Sequence, residues 1–334
     1  MVDQLTSESL RFAGSRWTPS VAAASSRRVA TALTQRIAVL IVVLIVVFAT
    51  VDLLPGNGVR AVLGRDATDA QIAAREAALG LDRPLPVRFA DWLGGLIRGD
   101  LGTSVRGTSV NDMLTDKFPN TLILGGAAIL VTAIAAVCFG ALWSFFPRSV
   151  AARALSSTTI AVIAIPEFVI AVGLVFVFAL LLGWLPAVTT TGPSGAPANA
   201  AVLVLPVLAL AIPQSGWNIR VTRAALDEAA GMPHVAAAEL DGLTRREILA
   251  RHILPIAAPT LAASLATTVG MVLGGALVVE TIFNYPGLGT VLAGAVTDRD
   301  APVVAAVVAL TGVVITMMLV LADLLRAWAI RTRA

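Results

Sequence analysis

Few side chains in this sequence are of the types that perform covalent chemistry. The single lysine, Lys117, does not follow a glycine-rich loop, so no P-loop can place an ammonium group on nucleotide phosphates. The two histidines, His234 and His252, lie eighteen residues apart, outside any His-Glu-x-x-His motif, and offer too few ligands for zinc. We therefore expect no catalytic residue, no metal site and no bound cofactor.

Four carboxylates lie in or at the ends of strongly apolar segments: Asp52, Glu167, Glu280 and Asp323. A carboxylate inside a membrane is costly and is therefore a functional candidate. Three of them fall near segment ends, where water is within reach, which favours a structural role. Glu167 instead follows Pro166 in the middle of a segment. It can line a transport pathway, make a hydrogen bond between helices, or be held protonated.

The composition is that of a membrane protein. The 334-residue chain is 57% hydrophobic and 13% charged, and its mean hydropathy is +0.86, outside the range of soluble domains. Its net charge of +3 is too small to indicate nucleic-acid binding, and we expect no nucleic-acid partner. The single cysteine, Cys138, lies in an apolar run and is expected to be a small core residue.

Six apolar segments are long enough to cross a bilayer. They are residues 37–54, 121–146, 154–185, 201–219, 260–283 and 303–330. Because lipid offers no partners to exposed backbone groups, each is expected to be helical, which predicts an all-α integral membrane fold. Pro166, Pro206 and Pro213 lie inside two of these segments and should kink them.

The arginines indicate how the chain crosses the membrane. With the N-terminus inside the cell, fifteen of the 24 basic residues fall on cytoplasmic pieces, and the short outer loops carry only Arg299. The expected order is a disordered tail (1–34), a first transmembrane helix (35–54), an extracytoplasmic subdomain (55–118) and a permease core (119–334). The subdomain contains a Thr68-x-x-Gln71 capping box, and Gly80 can end the helix that follows.

The loop at residues 220–258, between the fourth and fifth segments, carries a distinct pattern. Ala-Ala-x-x-Asp-Gly occupies residues 237–242, and Leu254-Pro255 follows thirteen residues after Gly242. Alanine-rich residues 235–240 favour a helix. Asp241-Gly242 should end it, because glycine supplies a left-handed cap. A second helix is expected from Arg245 to Leu254, with three arginines on its exposed side.

This loop resembles the cytoplasmic EAA signature of ABC-importer permeases, with Ala236 where that family has glutamate. Further motifs are similar to those of the dipeptide/oligopeptide subfamily: Leu54-Pro55-Gly56, residues 79–84, residues 99–104, Glu280 to Gly289 with Pro286 and Gly287, and Arg299-Asp300-x-Pro-Val-Val. The resemblance covers residue 35 to the C-terminus.

The resemblance implies a permease subunit of an importer for dipeptides or oligopeptides in the cell membrane. It also implies a second homologous permease, two cytoplasmic ABC ATPases and an extracytoplasmic substrate-binding protein as partners. Residues 236–238, Asp241, Gly242, Leu254 and Pro255 would then form the ATPase-coupling element. Nickel or glutathione-like solutes are alternative substrates, and a proton-driven secondary transporter using Glu167 is the alternative class.

Overall fold

The computed structural model describes residues 20–53, 58–64, 67–193 and 195–333. Its regular elements there are helices. They are α1 (Ser20–Leu53), α2 (Gly58–Leu63), α3 (Asp69–Leu79), α4 (Leu85–Ile97), α5 (Val110–Thr115), α6 (Phe118–Phe145), α7 (Val150–Ala164), α8 (Glu167–Leu174), α9 (Ala201–Ala230), α10 (Pro233–Leu240), α11 (Arg245–Ile248), α12 (Leu254–Ile282), α13 (Leu288–Asp298) and α14 (Ala301–Arg333). Two π-helical segments, Val175–Leu181 and Leu249–Ile253, continue α8 and α11. The Leu54-Pro55-Gly56 motif lies outside the described residues.

The first helix is longer than the sequence predicts. It begins at Ser20, inside the segment expected to be a disordered tail, and runs to Leu53. Residues 20–53 contain no proline or glycine, so nothing in the covalent structure interrupts the helix before the apolar segment starts. The helical part of the expected tail therefore comprises residues 20–34, and residues 1–19 lie outside the described part.

Five helices of the described chain are long and apolar enough to cross a membrane, and a bent pair raises the number to six. The pair consists of α7 and α8 with its π-helical continuation, which meet at 106°. Pro166 lies at this break, as the sequence predicts. By contrast, α9 runs unbroken from Ala201 to Ala230 through Pro206 and Pro213. Pro206 is buried and Pro213 is half-buried among neighbouring helices, which stabilise the helix around them.

Helix α9 is the centre of the bundle and packs closely on α6. Gly140 lies directly against Thr222, and a Cβ at Gly140 would overlap the threonine side chain. A buried polar link joins α9 to α12: the Asn218 amide donates to Thr268 Oγ1 (2.9 Å) and accepts from Ser264 Oγ (2.9 Å). Small residues and satisfied polar pairs are what allow helices to pack closely in lipid.

Helices α2–α5 form a subdomain packed on α1 and α14. The predicted capping box is confirmed, since Thr68 and Gln71 each bond the other's backbone, and Gly80 ends α3 in a left-handed conformation. Phe48 of α1 contacts Phe89 and Trp92 of α4 at ring-centroid distances of 5.6 and 5.9 Å. These rings anchor the subdomain to the C-terminal part of α1.

Cys138 is not a core residue. Its side chain is exposed on α6, so the expectation of a small core residue is wrong. An apolar run marks a residue as part of a spanning segment, but it does not say which side of the helix packs against other helices.

Candidate functional site

The loop between α9 and α12 folds into a short helix with a defined end. Pro233 occupies the first turn of α10, where its missing N–H costs nothing. The helix ends at Leu240, and Gly242 adopts φ +77°. The Gly242 N–H donates to Glu239 O (3.1 Å) and the Leu243 N–H to Ala238 O (3.2 Å). The predicted helix and its glycine stop are therefore present, and the helix starts two residues earlier than predicted.

Helix α10 has one buried and one open side. Val235 and Ala238 are 3% and 5% exposed and pack with the ends of α9 and α12. On the other side Ala236, Ala237 and Asp241 are exposed, and Leu240 is 90% exposed. We call Pro233, Ala236, Ala237, Leu240 and Asp241 the α10 surface. It presents small side chains and one large apolar side chain to the solvent, with no described residue covering them.

The second predicted helix forms but does not stop at Leu254. Thr244 and Glu247 make a reciprocal capping box that starts α11. The chain then continues through the π-helical segment into α12, where Leu254 and Pro255 begin the spanning helix. A π-helical turn accommodates Pro255, which cannot donate a backbone hydrogen bond. Ala236 to Gly242 thus lie together, whereas Leu254 and Pro255 belong to another element.

A second stretch that resembles the EAA pattern, Glu228-Ala229-Ala230-Gly231, lies at the end of α9. Ala229 there is completely buried. Ala230 is exposed, so this second stretch can present only one of its two alanines to another protein.

Glu167 lies at the break in the bent pair and faces α12. It is the first residue of α8, and Pro166 is its N-cap. A Cβ built at Gly275 would overlap the Glu167 carboxylate, so the glycine is what permits this approach. Among the described residues, Glu167 Oε1 has no hydrogen-bond partner although it is buried. The Gly274-Gly275 pair in an apolar helix is the sequence signal that could have indicated such a contact.

Glu280 is completely buried, which corrects the expectation that water reaches it. Its Oε2 accepts a hydrogen bond from the Gly289 N–H (2.5 Å), and a Cβ at Gly287 would overlap the carboxylate. The carboxylate therefore lies at the start of α13, where a negative charge is favourable. The motif from Glu280 to Gly289, with Pro286 at its turn, folds back on itself.

Three residues that the sequence did not single out tie this turn to α6. The Tyr285 hydroxyl donates to Asn120 O (2.8 Å), and the Asn120 amide donates to Pro286 O (2.8 Å). Thr121 Oγ1 accepts from the Leu288 N–H (2.9 Å). Tyr285 is the one tyrosine of the chain, and that rarity was the available signal.

The Arg299-Asp300 motif meets the motif at residues 99–104. Asp300 is 2% exposed, and its Oδ2 accepts hydrogen bonds from the Ser104 hydroxyl and from the Val105 N–H (3.0 Å). Burial raises the pKa of the Asp300 carboxyl above its ordinary value, partly offset by these hydrogen bonds. Arg299 adopts a left-handed conformation (φ +56°) that ends α13. This junction joins the α2–α5 subdomain to α14.

Asp323 is neutralised by Arg36. The two side chains form an ion pair of 2.7 Å between α14 and α1, and both are partly exposed. This contact supports the structural role expected of Asp323. The side chain of Asp52 lies outside the described residues.

The described residues contain no group of three or more His, Cys, Asp or Glu side chains placed to hold a metal ion. The rings of His234 and His252 lie 5.9 Å apart between α10 and the π-helical segment that follows α11. Two imidazoles alone do not make a structural zinc site, which takes four ligands.

A multi-pass helical bundle with a broken span, and with a short exposed helix between two spanning helices, defines the class of a membrane transport subunit. Residues 136–332 match the model of the binding-protein-dependent transport system inner membrane component, and residues 26–125 match the N-terminal model of such membrane components. The chain belongs to this family of ABC-importer permease subunits.

Two named relatives agree with this family, and one solved structure is similar to this chain. A protein of Brucella ovis named as a peptide permease is 29% identical over 292 residues, which cover 85% of this chain and 92% of that protein. The glutathione transport system permease protein GsiC of Pectobacterium atrosepticum is 31% identical over 289 residues, covering 86% of this chain and 92% of that protein. A solved amino acid ABC transporter is 18% identical, with a TM-score of 0.49 over 66% of this chain and 94% of that one.

Proposed function

We propose that this permease imports short peptides, and that the α10 surface docks on a partner ATPase that supplies the energy. The observation that carries the proposal is the exposed side of α10. Leu240 is 90% exposed beside exposed Ala236 and Ala237, although burial of apolar surface is favourable. A partner protein with a groove would bury this surface, and the small alanines allow close approach.

The scheme requires partners and an orientation. We infer a second homologous permease, two ATPase subunits in the cytoplasm and a substrate-binding protein outside, with both termini of this chain in the cytoplasm. The positions of the arginines support this orientation. ATP binding would draw the two ATPases together, and α10 would pass that movement to α9 and α12, on which it packs. In this scheme the subdomain formed by residues 55–118 lies outside and the loop at residues 220–258 lies inside.

The peptide assignment rests on the names of the relatives. A peptide permease and a glutathione permease both cover most of this chain, and glutathione is itself peptide-like. Uptake of a labelled dipeptide and a labelled pentapeptide by cells that express the whole importer tests it. Competition by unlabelled peptides supports the assignment. If only nickel salts or glutathione compete with the labelled peptides for uptake, those solutes and not peptides are the substrate.

Glu167 is proposed to line the pathway. It is a partly buried carboxylate at the break of a spanning pair, and one of its oxygens lacks a partner within the described chain. A structural hydrogen bond would occupy that oxygen. Pro166 supports the proposal, because proline interrupts the backbone hydrogen bonds of the helix directly beside Glu167.

A cross-linking experiment tests the docking of α10 directly. A cysteine at Leu240 should cross-link to the co-expressed ATPase, since this side chain projects from the α10 surface. A cysteine at Glu228 is the matched control, because this residue is also exposed but belongs to the second EAA-like stretch, at the end of α9. Cross-linking at Glu228 with none at Leu240 would move the docking site off α10.

A further inference from the structure

A cavity of about 610 Å³ lies beside α10, at the common end of three apolar helices. It is bounded by the end of α6, the end of α9, α10, and the start of the helix that leads into α12. Its lining is apolar except for Ser144, Glu239, Arg245 and Arg246. None of the motifs discussed above accounts for it.

The floor of this cavity is apolar. Val235, Ile248 and Ile253 are buried side chains of the local core. Phe145 and Phe146, the last residue of α6 and its C-cap, are 44% and 58% exposed. Their exposed apolar rings are surfaces that an acyl chain can contact, because burial of apolar surface is favourable.

Arg245 and Arg246 give the cavity a cationic edge. Both are exposed, and neither forms an ion pair with a residue in the described part of the chain. Nearby Arg223 is engaged differently: its guanidinium lies 4.3 Å from the Trp143 ring centroid, and its Nε donates to Asp227 (3.2 Å).

The position of the two arginines is unfavourable for the helix itself. They are the first two residues of α11, and cations destabilise a helix N-terminus. Helix stability therefore does not explain them, whereas an anionic ligand in the cavity would.

We propose that this cavity binds a glycerophospholipid. Its phosphodiester would lie against Arg245 and Arg246, and one acyl chain would lie along the Phe145–Phe146 side. Basic pockets between spanning helices on the cytoplasmic side are suited to phospholipid headgroups. The inference rests on the membrane location of the chain and on the proposed orientation, which places this loop in the cytoplasm; it does not depend on the substrate.

Glu239 indicates which phospholipid headgroup the cavity prefers. It lines the same cavity from α10 and offers hydrogen-bond acceptors. An ethanolamine or glycerol headgroup has N–H or O–H groups that can donate hydrogen bonds to a carboxylate. A choline headgroup has no such donor. The cavity should therefore retain phosphatidylethanolamine and phosphatidylglycerol in preference to phosphatidylcholine.

Native mass spectrometry of the purified importer complex, after exchange into detergent micelles that contain one of these lipids at a time, tests the site. The double variant Arg245→Gln/Arg246→Gln should retain phosphatidylglycerol about tenfold less well, because each arginine near a phosphate contributes to affinity. Arg251→Gln is the matched control: it changes an exposed arginine of the same continuous helix that does not line the cavity. Glu239→Gln should narrow the preference for phosphatidylethanolamine over phosphatidylcholine.

A phosphatidylglycerol with a photoreactive acyl chain locates the bound lipid. Labelling of the peptide that contains Phe145 and Phe146, abolished by the double variant and kept in Arg251→Gln, supports the proposal. If glycerol 3-phosphate displaces the photoreactive lipid as effectively as unlabelled phosphatidylglycerol does, the cavity is a site for a free phosphate ester instead. Unchanged labelling in the double variant together with loss of the co-purifying ATPase would make the arginines a protein contact, and the lipid site would be wrong.

Discussion

The Asp300 carboxylate accepts hydrogen bonds from Ser104, a residue 196 positions earlier in the chain. Ser104 belongs to the motif at residues 99–104 and Asp300 to the Arg299-Asp300 motif, two of the five motifs outside the coupling loop that resemble family signatures. Val105 donates a second bond to the same oxygen, and Asp298 beside it pairs with Arg106 (2.6 Å). The two motifs are therefore the two sides of one junction, which fixes the α2–α5 subdomain to the start of α14.

Replacing Asp300 should destabilise the protein substantially. Asp300→Ala leaves the Ser104 hydroxyl and the Val105 N–H buried without a partner, at a cost of about 1–3 kcal/mol for each. Asp298→Ala removes only the partly exposed ion pair with Arg106 and should cost less than ~1 kcal/mol. Thermal unfolding in detergent, followed by tryptophan fluorescence, compares the two. Equal shifts in Tm would mean that the buried hydrogen bonds do not hold the junction.

The same carboxylate predicts a pH dependence. Its pKa is raised by burial in the folded state, so the folded protein binds this proton more tightly than the unfolded chain does. The resulting stability is fully present below the ordinary aspartate pKa of about 3.9 and is lost as the pH rises through the raised value. The Tm of the wild type should therefore fall over this window relative to that of Asp300→Asn, which does not titrate. Parallel Tm curves for the two proteins would contradict the raised pKa.

The contact between Glu167 and Gly275 allows the role of Glu167 to be tested without removing its carboxylate. Gly275→Ala places a methyl group where the carboxylate lies, so it should displace Glu167 and reduce peptide uptake as Glu167→Gln does. Gly274→Ala is the matched control, because a Cβ there meets nothing within 4 Å. Uptake and complex assembly are measured for all three variants. Normal uptake in Glu167→Gln and Gly275→Ala would leave Glu167 with a packing role only.

The orientation is tested by labelling single cysteines with an impermeant thiol reagent. Cys138 is first replaced, because its side chain is exposed on α6. A cysteine at Thr190 should react in intact cells, and one at Arg148, in the turn after α6, only after permeabilisation; both positions are exposed. The reverse pattern would invert the whole topology.

Local features of this protein can be predicted from sequence because their determinants are adjacent in the chain. The capping box at Thr68, the break at Pro166 and the glycine stop at Gly242 each depend on a few consecutive residues. The sequence places the start of α1 too late, because apolar composition marks the membrane-embedded part of a helix and not a more polar extension of it. Similarly, the helix begun at Arg245 continues past Leu254, since a π-helical segment absorbs the proline that should have ended it.

The pairings that build the sites could not be predicted in this way. Glu167 meets Gly275, and Asp300 meets Ser104, across more than a hundred residues, and nothing local encodes either partner. The full burial of Glu280 was missed for a related reason. Its position at a helix end suggested water, whereas the following turn folds back and covers it.

The claim that α10 couples this permease to an ATPase is tested most directly by the ATP hydrolysis of the purified complex, stimulated by substrate-loaded binding protein. Gly242→Val puts a β-branched residue at φ +77°, which costs about 1–2 kcal/mol in backbone strain and misdirects the end of α10. Gly183→Val is the matched control, with φ +63° and equally open space, in the loop after the broken span. We predict that Gly242→Val assembles and binds the loaded binding protein but loses the stimulation, while Gly183→Val keeps it. Full stimulation in Gly242→Val would contradict the account and leave the loop as a simple connection between two spanning helices.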